Sequence, residues 1–173
     1  MVTQKLVKYL LSILILATIG CGLSVNYSMT GASIDERLKT VQIDFFPNNA
    51  PLVEPSLSQE FTQSLQDLFL TQTNLTLVKA DGDLQFEGEI TGYKINPMTA
   101  NADETADQNR LTVTINVRFY NSLNSMENFE KKFSHFFDFD DDENLIGTVR
   151  QEAFDEVIQR ITQDIYNASL VQW

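Results

Sequence analysis

Arg110-Leu111-Thr112-Val113-Thr114-Ile115-Asn116-Val117-Arg118-Phe119-Tyr120 alternates without a break between apolar and polar side chains. A repeat of two is the period of a pleated strand, whose successive side chains leave on opposite faces. Leu111, Val113, Ile115, Val117 and Phe119 therefore define a core face, and Thr112, Thr114, Asn116, Arg118 and Tyr120 the opposite one. Such a strand needs partners at its edges and a cover for its apolar side, and the flanking sequence supplies both.

Downstream, 128–139 reads as a partner strand, with Phe129, Phe133, Phe137 and Phe139 on one side and Phe136 on the other. Upstream, Leu84, Phe86, Gly88 and Ile90 alternate after an Asp81-Gly82-Asp83 turn. Beyond Gly92 the apolar phase moves to Tyr93 and Ile95, which is how a β-bulge looks in sequence. Residues 97–109 have little apolar content and are expected to be a mobile hairpin connection without packing duty. A first strand is expected over 38–46, with Val41, Ile43 and Phe45 on one face, ended by Pro47-Asn48-Asn49-Ala50-Pro51.

Two helices are expected to cover the sheet. Ser56 and Gln59 have the spacing of a capping box, and Leu57, Phe61, Leu65, Leu68 and Phe69 recur at helical intervals until Thr73-Asn74. Thr148 and Gln151 form a second such pair ahead of the stripe Phe154, Val157, Ile158, Ile161 and Ile165. Strand, helix, a run of strands, helix is not the strict alternation of a parallel doubly wound sheet. The expected fold is α+β, a two-layer sandwich with two helices on one face of a mostly antiparallel sheet of about four strands. The other sheet face, with Thr112, Thr114, Asn116, Arg118, Tyr120 and Phe136, is left bare for a partner.

The 173 residues suffice for one domain and a processing segment, and the composition, 43% hydrophobic and 10% aromatic, is that of a folded chain. Residues 1–20 have a positive start, Lys5 and Lys8, an apolar run from Tyr9 to Ile19 broken by Ser12 and Thr18, and Gly20 before the single cysteine, Cys21. This is the pattern of a cleaved export signal, too short for a spanning helix. Thr18-Ile19-Gly20-Cys21 resembles a lipobox, departing from it in Thr18 where leucine is usual. The expectation is a signal peptide over 1–20, a lipidated linker over 21–37 attached through Cys21, and a folded domain over 38–173. Removing Lys5 and Lys8 leaves 10 basic against 24 acidic residues, a net charge of −14, which disfavours nucleic acid as a partner.

Little in the chain points to catalysis. The chain has one cysteine, Cys21, which is consumed by lipid, and one histidine, His135, and a histidine among phenylalanines on a strand is expected to pack or face water. Asp138, Asp140, Asp141, Asp142 and Glu143 offer hard oxygen ligands but lack the spacing and turn glycine of a calcium loop, and are read as a solvated acidic loop running over 138–144. Neither a metal nor a cofactor is expected. The residues leave open a free-standing periplasmic lipoprotein that binds a small apolar ligand between helices and sheet.

FFPNNAPLVEPSLSQEFTQSLQDLFLTQTNLTLV (45–78), GDLQFEGEITGY (82–93), NRLTVTINVRF (109–119) and FEKKFSHFFDF (129–139), in that order, resemble the Bacteroidetes form of the lipopolysaccharide-assembly lipoprotein family, LptE. The resemblance implies a non-enzymatic lipoprotein on the periplasmic side of the outer membrane, a plug and assembly partner of the LptD β-barrel that helps deliver lipopolysaccharide to the outer leaflet. Gly22-Leu23-Ser24 after the cysteine, without an inner-membrane retention aspartate, fits that location. Lipid A phosphates are anionic, so Lys94, Arg118, Lys131 and Lys132 are the candidate lipopolysaccharide contacts, provided neighbouring strands gather them on one face.

Overall fold

The computed structural model describes residues 34–98, 108–140 and 145–170. Cys21, the signal segment, most of the expected linker, the tip of the hairpin connection and Asp141, Asp142 and Glu143 lie outside them. Strand β1 (Thr40–Ile43) is followed by helix α1 (Leu57–Gln72), then β2 (Thr76–Val78), β3 (Leu84–Met98) and β4 (Gln108–Asn121). A 3₁₀ turn (Ser125–Glu127), β5 (Phe129–Asp140) and helix α2 (Gly147–Leu170) complete the order.

The two-layer α+β class is as expected, but the sheet has five strands rather than four, in the order β2-β1-β3-β4-β5, and it is mixed. β3, β4 and β5 are antiparallel, whereas β1 runs parallel to both β2 and β3. The extra strand, β2, is three residues long with no alternation to announce it. It exists because α1 returns the chain to the level at which β1 starts. The chain then crosses β1 in the five residues 79–83 to begin β3 beside Val41.

Asp83 fastens that crossing. One carboxylate oxygen accepts from the Lys39 amide at 2.8 Å, the Thr40 amide at 2.9 Å and the Thr40 hydroxyl at 2.8 Å. These donors hold the Asp83 carboxyl below the ordinary carboxylate range.

β4 behaves as its alternation predicts: Leu111, Val113, Ile115, Val117 and Phe119 are all buried. The register shift in β3 falls between Ile90 and Gly92, where the bulge is expected. The stripes of both helices are buried except for half-buried Leu68, and Phe69, Phe86 and Phe119 form a continuous run of rings with centroids 4.8 and 4.9 Å apart.

Four local expectations need correction. β1 ends at Ile43, so the alternation breaks and Phe46 is buried while Phe45 is 61% exposed. Beyond Ile43 the chain stays beside β3 irregularly, through Asp44 N–H to Phe86 O, Ile90 N–H to Pro47 O and Asn49 N–H to Ile90 O, all 2.9 Å. Neither capping box forms. Ser56 has helical dihedrals and its hydroxyl bonds Glu54 and Arg150, and Thr148 lies inside the first turn of α2. The hairpin strands also run further than expected, to Pro97 opposite Asn109 and Met98 opposite Gln108. A proline is tolerated at that end of β3, where only β4 pairs with it among the described residues. Finally, Asp138 and Asp140 belong to β5 rather than to an acidic loop.

Candidate functional site

The face of the sheet away from the helices is the candidate site. Register decides which side chains share it. Row by row it carries Glu87, Arg118 and Glu130; Glu89, Asn116 and Lys132; Thr114 and Ser134; Lys94, Thr112 and Phe136; and Asn96, Arg110 and Asp138. Among the described residues the face expected to be bare is uncovered, and Tyr120 and Phe136 are 40% and 47% exposed on it.

Its arginines and carboxylates are paired with one another. The Arg118 guanidinium donates to Glu87 at 2.9 Å and Glu89 at 3.1 Å and lies 3.9 Å from Glu130. Asn116, only 8% exposed, donates its two amide hydrogens to Glu89 at 3.0 Å and Glu130 at 2.8 Å, which ties the carboxylates of β3 and β5 together across β4. The Tyr120 hydroxyl donates to Glu87 at 3.2 Å. Hydrogen bonding to Glu87, then to Glu89, raises the Arg118 pKa further. Desolvation, followed by the Glu87 charge, raises that of Tyr120.

Further along the face, Arg110 grips Asp138 through two bonds of 2.7 Å and stacks over the Phe136 ring with its central carbon 3.7 Å from the centroid. The Asp138 carboxyl is held below its usual range by that guanidinium. Thr114 and Ser134 share a hydroxyl–hydroxyl bond of 2.9 Å.

The four cations do not converge on one patch. Arg118 is surrounded by three carboxylates, Lys132 lies in the Asn116 row, and Lys94 lies in the Thr112 row, six residues from Arg118 along β4. Lys131 is opposite Val117 on the helix side, where its ammonium sits 5.1 Å from the centroid of the Phe133 ring. What the sequence reading missed is the set Glu87, Glu89 and Glu130, and their meeting at Asn116 and Arg118. The signal was available in part, since each occupies an outward position of an alternating strand, but their meeting depends on register.

His135 packs near the helix layer and bonds Asp164 of α2 at 2.8 Å. Among the described residues no group of histidine, cysteine and acidic side chains has the arrangement of a metal site. Aromatic side chains join the helices to one another and to the sheet layer: Phe46 meets Phe61 at 5.1 Å, Phe69 meets Tyr166 at 5.4 Å and Tyr93 meets Phe154 at 6.2 Å.

The family described as lipopolysaccharide-assembly, LptE, matches residues 38–169, the folded domain almost end to end. The chain belongs to the LptE family. The match spans the whole sandwich, so the buried Phe46 motif, the Asp83 crossing and the charged outer face are all parts of an LptE domain. Among solved structures, the LptE domain is similar to a minor lipoprotein of Acinetobacter baumannii, at 13% identity and TM-score 0.43, covering 78% of this chain and 97% of that one. It is also similar to the rare lipoprotein B of Shewanella oneidensis, at 13% identity and TM-score 0.41, covering 70% and 89%. A search of the curated proteins finds no match. No helix among the described residues is long and apolar enough to cross a membrane.

Proposed function

We propose that this LptE-family chain is a lipoprotein tethered through Cys21 to the periplasmic side of the outer membrane. There it acts as plug and assembly partner of an LptD-type β-barrel that delivers lipopolysaccharide to the outer leaflet, and it is a binding protein rather than an enzyme. The observation that carries the reading, beyond family membership, is the outer sheet face. It is broad, built from three long strands, and its arginines and carboxylates are already paired with one another. A polar surface can be enclosed by another protein without a large penalty only if its charges keep their partners once water is removed.

The reading also bears on lipopolysaccharide. Arg118 is committed to Glu87 and Glu89, so direct recognition of lipid A phosphates on this face falls to Lys94 and Lys132.

The test is a photo-crosslinking residue in place of Phe136 or Tyr120 in cells, followed by purification under denaturing conditions. The expected product is an adduct with one large outer-membrane β-barrel. Absence of any barrel adduct from these positions, with the protein correctly exported, would overturn it. Mass spectrometry of the mature N-terminal peptide tests the lipid on Cys21.

A further inference from the structure

Among the described residues β5 is a terminal strand of the sheet, twelve residues long and paired along one side only. A long open edge invites another strand. Beside it, between β5 and the second half of α2, runs a groove of about 740 Å³ floored by Phe129 and Phe133 and walled by Asp164, Asn167 and Ala168. An edge flanked by a groove is the geometry that accepts an extended segment, main chain on the edge and alternate side chains in the groove.

The chain itself carries a segment of the required pattern just ahead of the described domain. Leu23-Ser24-Val25-Asn26-Tyr27-Ser28-Met29-Thr30 alternates strictly between apolar and polar over eight residues and bears no charge. Gly31-Ala32-Ser33 then leads to Ile34. Ile34 lies with Asn124, Met126 and Glu127, immediately before β5, and with Leu170 at the end of α2. The chain therefore arrives at the start of β5 with three residues to turn in.

We propose that residues 23–30 add to the free edge of β5 as an antiparallel sixth strand. Leu23, Val25, Tyr27 and Met29 then face the groove and lie over half-buried Phe129. Ser24, Asn26, Ser28 and Thr30 extend the outer face beside Lys132 and Ser134. Eight residues of strand span about 26 Å, which carries the chain back toward the end of the sandwich where β3 ends and α2 begins. Exposed Ile95, Met98 and Ile146 stand at that end. Where Cys21 carries lipid, which rests on the function proposed above, docking replaces a long tether with a short one and sets that apolar end toward the membrane.

The test is hydrogen exchange on the full mature chain from residue 21, with Cys21→Ser so that no lipid is involved, against the same chain carrying Val25→Pro and Tyr27→Pro, which remove strand donors. The expected result is that outward-facing β5 amides and those of 23–30 exchange at least about tenfold faster in the proline variant, while α2 amides near Ile158 and Ile161 are unchanged. Equal exchange of β5 in the two chains overturns the proposal. So does protection that depends on protein concentration, because a second copy would then occupy the edge. Neither result touches the barrel crosslink, and failure of that crosslink leaves this docking intact.

Discussion

Phe46 rests its ring against Gly88, where an added Cβ would come within 2.7 Å of the phenyl and collide with the Asn116 carbonyl. The glycine leaves a hole in the core face of β3, and the phenylalanine fills it from the segment that follows β1. Gly88→Ala is expected to cost about 1–3 kcal/mol by overpacking and Phe46→Ala about 3–5 kcal/mol by cavity formation, read as lower urea midpoints with unchanged slopes. Combined, they should cost less than their sum, because both act on one contact. Asp83 makes the complementary polar prediction. Its carboxyl is lowered in the folded chain, so its contribution is present above the ordinary value near about pH 4 and is lost as pH falls through the depressed value. Asp83→Asn is expected to destabilise by about 1–3 kcal/mol at neutral pH, and the difference from the parent should shrink in acid. An undiminished difference in acid would mean that shape, not charge, fastens the crossing.

Among the elements, Arg150 joins the loop before α1 to the first turn of α2. It lies 3.3 Å from both Glu54 and Glu60, bonds the Ser56 hydroxyl and stacks over the Phe154 ring at 4.5 Å. Arg150→Ala should cost about 1–3 kcal/mol by leaving two partly buried carboxylates unpaired. It should also raise hydrogen exchange in the loop over 50–56 before it affects the sheet. This contact explains why Ser56 is not a cap, since its hydroxyl is taken by partners that no local spacing reveals. β4, the bulge near Gly92 and both apolar stripes were legible because each is encoded within one segment. β2, the parallel pairing of β1 and the switch from Phe45 to Phe46 were not, because they follow from where α1 delivers the chain and from what Gly88 leaves empty. In the candidate site, Arg118, Tyr120 and Phe136 could be placed on the outer face from alternation alone. That Glu87, Glu89 and Glu130 meet at Arg118 required the register of three strands.

At the scale of the whole molecule, pairing also limits what the acidic chain binds. Asp138 is held by Arg110 through both carboxylate oxygens, so the acidic stretch that follows loses its first candidate ligand. Adding calcium or a chelator is expected to leave the melting temperature unchanged, measured by differential scanning calorimetry. A calcium-dependent rise would return 138–143 to consideration as a binding loop. The outer face has a last consequence of its own. Because Asn116 and Arg118 bind their carboxylates within the sheet, a wall lying against it owes those side chains no counter-ions. Such a surface discriminates by fit and hardly by sign. It tolerates small shifts of the neighbour along the strands, as a bearing does, while the partner's own charge pattern remains free to serve whatever passes beside it.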